Sequence, residues 1–257
     1  MMRFGPAGCG GREEAVSKLE DYKKLGIAAC EVPFTYQVWM REIDAKPIGE
    51  AAKRLDVKLS IHAPYWLNLN STDKKKVEES MERILKCCEI GHILGAYAVV
   101  FHAGFYGKME KEETYQNIKK QIEKMQSEIK KKGWKIKLAP ETMGKINVFG
   151  DVSEILRLMK ETGCFCCVDF AHLFARYQGK LTYKEIYEKF RHLPSLHCHF
   201  SGIIYGEKGE RSHKITPDSE LRKLLEVLPK NKEIVIINES PEPVDDSVKA
   251  IKIWKSL

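Results

Sequence analysis

The stretch Ser60-Ile61-His62-Ala63-Pro64-Tyr65-Trp66-Leu67-Asn68-Leu69 decides the fold. An apolar, β-branched run stops at a histidine and a proline-containing turn follows at once, the pattern of a buried strand that ends at a site. The same grammar returns at Val99-Val100-Phe101-His102, Leu138-Ala139-Pro140-Glu141, Cys167-Val168-Asp169, Cys198-His199 and Ile236-Ile237-Asn238-Glu239. These strand ends all close on His, Asp or Glu. They predict one site built at one end of a parallel sheet.

Working outward, strands are expected over residues 3–6, 27–32, 57–61, 97–101, 135–138, 164–168, 195–200 and 233–237. Helical apolar spacing fills the intervals, over 13–25, 49–55, 74–94, 110–132, 155–162, 183–190, from Thr216 to Val227, and 246–254. Asp73 and Asp151 offer N-caps, and Gly26, Gly95, Gly133 and Gly163 offer stops. Residues 202–214, polar and glycine-containing, are expected to be a loop. Strands alternating with helices in this way predict a single (β/α)8 (TIM) barrel domain spanning 1–257, with its site at the C-terminal mouth of the strands. A doubly wound sheet is the alternative, but its site sits at one switch point and needs no ligand-type residues at so many strand ends.

The 257 residues, 43% hydrophobic, can bury a large core. No apolar run approaches a bilayer span and no basic-apolar leader opens the chain, so a cytoplasmic protein without membrane contact is expected. The eight cysteines follow no zinc-finger spacing, and Cys164, Cys166 and Cys167 fall in an apolar strand, so buried free thiols are expected. A net charge of +7 favours anionic partners, yet Lys74-Lys75-Lys76 and Lys130-Lys131-Lys132 belong to helical faces that water solvates. Charge alone decides nothing.

His62, His102, Glu141, Asp169, His172, His199 and Glu239 are the candidate metal ligands. Imidazole nitrogen and carboxylate oxygen suit zinc or manganese. A lone strand-end histidine is more often a hydrogen-bonded core residue, and a lone glutamate can pair with a lysine. Gathered at one barrel mouth, they form a cluster of uncompensated carboxylates and imidazoles that bound cations resolve. His197 precedes His199 by two and faces the same way one layer deeper, either as support for it or as packing. Glu31 ends the second strand without an assigned partner, and His92 and His192 sit on helical patterns.

Several motifs carry a family likeness. These are His62-Ala63-Pro64-Tyr65-Trp66-Leu67-Asn68-Leu69, Phe101-His102-Ala103-Gly104, Glu141-Thr142-Met143-Gly144, Val168-Asp169-Phe170-Ala171-His172, His199-Phe200-Ser201 and Asn238-Glu239-Ser240-Pro241. In order and spacing they resemble the endonuclease IV family of apurinic/apyrimidinic endonucleases, zinc-dependent barrel enzymes of base-excision repair, over most of the chain. The resemblance implies a first metal on His62, His102 and a bridging Glu141, and a second on Glu141, Asp169, His199 and Glu239. It implies a third on His172 with an Asp–Arg–His triplet. Here the triplet region reads Glu210-Arg211-Ser212-His213. Glu210 stands for the aspartate and Ser212 for the histidine, so either His213 serves with a one-residue shift or the third ion is weak or absent.

What the resemblance implies for function is hydrolysis of the phosphodiester 5′ to an abasic site in double-stranded DNA. A hydroxide held between metals would attack phosphorus, with Glu141 and His102 at the catalytic centre and two or three zinc ions, or manganese, as cofactor. A damaged nucleotide is the easiest to extrude from the duplex. Tyr65 would pack beside the flipped backbone. Tyr36, Trp39 and Arg41 follow the second strand, where the family carries an intercalating loop, and packing of the next helix is their alternative. Arg12 and Lys108 would touch phosphates. A monomer is implied. The competing readings are a single-metal sugar isomerase or epimerase of the same superfamily, which would use Glu141, Asp169, His199 and Glu239 alone, and a barrel that binds damaged DNA without cutting it.

Overall fold

The computed structural model describes residues 1–257. The strands are β1 (Met2–Pro6), β2 (Ala29–Pro33), β3 (Lys58–His62), β4 (Ala98–Phe101), β5 (Lys137–Pro140), β6 (Cys167–Asp169), β7 (Ser195–Phe200), β8 (Gly202–Gly206), β9 (Gly209–Lys214) and β10 (Glu233–Asn238). The helices are α1 (Ala15–Lys24), α2 (Glu42–Leu55), α3 (Lys74–Leu94), α4 (Lys111–Lys132), α5 (Val152–Thr162), α6 (Phe170–Arg176), α7 (Tyr183–Phe190), α8 (Asp218–Val227) and α9 (Pro243–Ser256). None is long and apolar enough to cross a membrane.

Two parallel half-sheets, β1-β10-β7-β6 and β2-β3-β4-β5, join at both seams. The first seam is a parallel bridge between Ala7 and Glu31, the second a bridge between Glu141 and Cys167. Gly8 N–H donates to Glu31 O at 2.9 Å and Thr142 N–H to Cys167 O at 3.0 Å, so the backbone ladder runs around the ring and the barrel closes. Closure brings Glu31 and Glu141, remote in sequence, into one enclosed interior, Glu141 at its rim and Glu31 beneath it.

Side-chain alternation then sorts the strands. Outward residues such as Leu59, Ile61, Val99 and Ile236 join the helices in one continuous apolar cluster. Inward apolar residues are small or slim: Ala29, Ala98, Val100, Ala139 and Val235. The space they leave is filled by buried Glu31, Ser60, His62, His197 and His199. An interior of this composition is polar by construction. Local signals agree with the elements they start and stop. Asp73 accepts from Lys75 N–H at 3.0 Å to cap α3, and Gly95 ends it at φ 73°.

Two expectations need correction, and a third holds. The fifth and sixth strands lie further along, at Lys137–Pro140 and Cys167–Asp169, because the chain leaving Gly133 and Gly163 takes a short connection before it pairs. The expected loop over 202–214 is an antiparallel hairpin, β8 with β9. It docks through an antiparallel bridge between Lys145 and Gly209. A Cβ on Gly209 would stand 2.0 Å from the Gly144 carbonyl oxygen, so only glycine permits this approach, at φ +90°. All eight cysteines are free and buried, as their apolar settings predict.

Candidate metal centre

Six of the eight barrel strands deliver a ligand-type residue to the same rim. His62 ends β3 and Asp169 ends β6, while His102, Glu141 and Glu239 directly follow β4, β5 and β10. His199 is the penultimate residue of β7, and its ring joins theirs. Asp169 also N-caps α6, accepting from His172 N–H at 2.7 Å, which sets His172 on the first helical turn beside it. The hairpin supplies Glu210 and His213 from β9.

Glu141 is the hub. Its Oε2 lies 3.2 Å from His62 Nε2 and 3.2 Å from His102 Nε2. Its Oε1 lies 3.1 Å from His172 Nδ1 and 3.3 Å from His199 Nδ1. His199 Nδ1 is also 3.3 Å from Glu239 Oε1, and His172 Nδ1 is 3.3 Å from Asp169 Oδ2. Beyond them, His172 Nε2 stands 3.4 Å from both Glu210 Oε2 and His213 Nε2. Donor atoms fall within 4.8 Å of one another in three groups at the rim: His62, Glu141 and His199; Glu141, Asp169, His199 and Glu239, which shares two members with the first; and His172, Glu210 and His213, which stands apart.

Hydrogen bonds to backbone carbonyls orient the rings. His62 Nδ1 lies 2.7 Å from Ala63 O, His172 Nδ1 3.1 Å from Thr142 O, and His213 Nδ1 3.0 Å from Glu239 O. Donation of Nδ1–H to those carbonyls leaves each Nε2 with its lone pair turned into the cluster, the tautomer a metal ligand needs. These tautomers are assigned from the hydrogen-bond partners.

The donor set fits divalent ions on a direct observation. Glu141 Oε1, Asp169 Oδ2 and His199 Nδ1 are buried and have no hydrogen-bond partner. Orphaned buried polar atoms are costly, and three of them converging on one spot are what a cation satisfies. Titration behaviour points the same way. Burial would raise the Glu141 carboxyl, but the His199 charge and the close approach of the His102, His172 and His199 rings outweigh it and hold the group well below the usual range. Burial pushes Asp169 up to about 6. Burial opposes charge on His172 and His199, yet the surrounding acidic groups lift both well above an ordinary histidine. His102 stays low because burial prevails there. The cluster holds protons where it could hold cations.

A cavity of about 540 Å³ opens above the centre, with Tyr65, Phe105, Met143, Lys145 and Val148 on its walls. The Tyr65 ring lies 4.8 Å from His62 and 5.5 Å from His102. The other expected contact residues stand apart. Tyr36 is 78% exposed. Trp39 takes the packing alternative, edge-on to Phe34 with its indole N–H given to Pro33 O at 3.1 Å. Arg41 pairs with Asp44 at the start of α2, and Arg12 reaches the same carboxylate at 3.9 Å. None of these four lines the cavity.

Sequence reasoning passed over Arg176, a buried cation whose guanidinium donates to the carbonyls of Met143, Lys145 and Val148 and so holds the loop that walls the cavity. Its only signal was an arginine closing the largely apolar run Ala171 to Ala175.

A closed barrel that gathers imidazoles and carboxylates at its C-terminal rim is an architecture that hosts many reactions rather than one. Residues 19–257 match the xylose isomerase-like TIM barrel family, and the chain belongs to it. It is 34% identical to an uncharacterised protein of Methanocaldococcus jannaschii, over 100% of this chain and 98% of that one. It is 26% identical to a probable endonuclease 4 of Aquifex aeolicus, over 65% of this chain and 63% of the relative. Among solved structures, SacUVDE superposes with a TM-score of 0.77 at 18% identity, covering 100% and 99% of the two chains. Endonuclease IV from Thermus thermophilus gives 0.72 at 17%, covering 99% of each. A D-tagatose 3-epimerase-like protein gives 0.71 at 20%, covering 99% and 97%. At these identities the structural likenesses bear on the fold.

Proposed function

We propose that the protein is a metal-dependent apurinic/apyrimidinic endonuclease of base-excision repair, a phosphodiester hydrolase that cuts double-stranded DNA 5′ to an abasic site. One observation carries the reading: His172 Nε2 and His213 Nε2 face each other at 3.4 Å, each with its other nitrogen at a backbone carbonyl and Glu210 alongside. Two imidazole lone pairs do not meet unless a cation or a proton lies between them. A single-ion sugar enzyme has no use for this outer group, nor for His62 and His102, whereas a phosphodiesterase that stabilises attacking and departing oxygens uses more than one ion. The Aquifex aeolicus relative supports it.

In this reading His62, His102 and Glu141 hold one ion, Glu141, Asp169, His199 and Glu239 a second, and His172, Glu210 and His213 a third. Zinc or manganese bound there supplies Lewis-acid activation of water and neutralises phosphate charge. The chain does the rest. Carbonyls of Ala63, Thr142 and Glu239 fix the imidazoles, Tyr65 and Phe105 line the cavity with apolar surface, and Lys145 brings a cation to its edge. A net charge of +7 favours the polyanionic duplex.

The test is incubation with a duplex holding one tetrahydrofuran abasic analogue, in zinc or manganese. Incision on the 5′ side, abolished by His102→Ala, upholds the hydrolase. Retarded migration without incision turns the reading into that of a DNA-binding barrel. A second reading, a single-metal sugar epimerase, has its own support, because Glu141, Asp169, His199 and Glu239 already form a complete four-donor group. Metal content separates the two: one ion per chain favours the epimerase, two or three the nuclease.

A further inference from the structure

Beneath the rim lies a second polar layer that, His199 apart, none of the proposed ligand groups uses. Glu31, on β2, is fully buried inside the barrel, as are His197 and His199 on β7, with Ser60 on β3 nearly so. Glu31 Oε2 accepts from Ser60 Oγ–H at 2.7 Å and lies 3.0 Å from His197 Nε2. The other nitrogen of His197 meets the Tyr97 hydroxyl. Protons can be assigned along this chain in one consistent way. Tyr97 O–H donates to His197 Nδ1, and His197 Nε2–H donates to Glu31 Oε2.

With Oε2 held by two donors, Glu31 cannot turn. Its other oxygen, Oε1, has no hydrogen bond of its own and stands 2.9 Å from His199 Nε2. His199 Nδ1, on the opposite edge of the same ring, points up at Glu141 and Glu239. A carboxylate beside Nε2 favours the tautomer with hydrogen on Nε2 and a lone pair on Nδ1. We infer that Glu31 is a positioning residue, held by Ser60, His197 and Tyr97, that fixes the tautomer and orientation of His199 for a divalent ion among Glu141, Asp169 and Glu239. The inference rests on the reading of His199 as a metal ligand and adds a floor to that site.

An isolated carboxylate placed this deep would be expensive, and two histidines with a serine hydroxyl around it make it tolerable. Cys167 offers a competing use of the same layer, since its thiol groups with His197 and His199 as a thiolate donor set. A soft ion held there would occupy His199 from below and leave Glu31 nothing to orient.

The experiment compares wild type with Glu31→Gln, which keeps the volume and removes the charge. Zinc affinity is measured by competition with a chromophoric chelator, and site identity by the visible spectrum of the cobalt(II)-loaded protein. Glu31→Gln is expected to bind one ion about 10- to 100-fold more weakly, with the remaining ions unchanged and the cobalt bands of that one site altered. Tyr97→Phe, which removes only the far end of the chain, is expected to give a smaller loss at the same ion. If Glu31→Gln fails to fold, Ser60→Ala puts the same question by freeing one side of Oε2. Unchanged affinity for every ion in the folded variants overturns the inference while leaving the metal reading standing. A thiolate-to-cobalt charge-transfer band overturns it by placing the ion on Cys167. A wild-type chain that takes up no divalent ion overturns both.

Discussion

The two ends of the candidate centre are built by different means. The inner end, His62, His102, Glu141, Asp169, His199 and Glu239, stands on or just beyond parallel strands whose register is set around a closed ring. The outer end, His172, Glu210 and His213, stands on one turn of a short helix and on a hairpin that touches the barrel loops through glycine backbone. Strand ends cannot shift singly without breaking the ladder, so the inner donors are as rigid as the fold. The hairpin pairs with no barrel strand and is held by loop and side-chain contacts instead. In the proposed reading the inner end therefore sets whether ions bind at all, and the outer end sets how many.

That contrast orders the expected effects. Glu141→Gln strikes the hub that both inner groups share, and is expected to lower incision by about 1000-fold, a loss of roughly 4 kcal/mol in transition-state stabilisation, with zinc content falling by more than one ion. His213→Ala is expected to cost one ion and about 10- to 100-fold in rate, on the order of 1.4–2.7 kcal/mol, while the inner ions stay. Should His213→Ala strip every ion, the two ends are one cooperative unit and the contrast fails. Gly209→Ala tests the hairpin without touching a donor. Its Cβ would meet the Gly144 carbonyl, and Gly144 itself abuts Glu210. The hairpin must lift, so a loss of about tenfold or less is expected in outer-ion affinity, with unfolding of the barrel unchanged. Metal analysis and a thermal melt read both.

The same contrast explains what could be read from the sequence. Barrel strands buried on both sides leave apolar runs that end abruptly, and His62, Glu141 and Asp169 stand out against such runs as the residues on which they close. The hairpin leaves no such trace. Ile203, Ile204 and Tyr205 form one short apolar patch, but Glu210 to Lys214 has no apolar face, and β9 is half exposed, so neither period nor composition signals a strand. What makes it pair is the backbone contact of Gly209 with Gly144, a fact of the third dimension. Glu31 is intermediate. An acid inside the apolar run Ile27 to Val32 was legible as an anomaly, and His197 was legible as sharing the face of His199, but only barrel closure puts the two together. Trp39 was open to either a contact or a packing role from its sequence, and the structure takes the second, its ring and N–H both spent on Phe34 and Pro33.

Removing the ions gives the smallest expected effect and the clearest sign. In the ion-free protein Asp169, His172 and His199 all have folded pKa values raised above their unfolded ones. A group raised in this way binds more protons folded than unfolded. Its stabilisation is therefore complete below the unfolded pKa and is lost as pH rises through the folded pKa, at about 1.4 kcal/mol per pH unit for each proton of difference. For Asp169 that window runs from 3.8 to about 6, and for the two histidines it starts near 6.5 and extends upward. Glu31 and Glu141, both depressed, give the opposite dependence, confined to pH below 4.5. His102 and His197, both lowered by burial, oppose this below 6.5, so chelator-treated protein is expected to lose stability as pH climbs above about 6.5. Zinc requires the deprotonated forms of the same groups, so loaded protein is expected to gain stability over that interval. Melting curves with and without chelator at several pH values measure the two slopes. Equal slopes would mean that the protons on His172 and His199 and the proposed ions do not compete for the same atoms, and the facing imidazoles of His172 and His213 would then need another explanation.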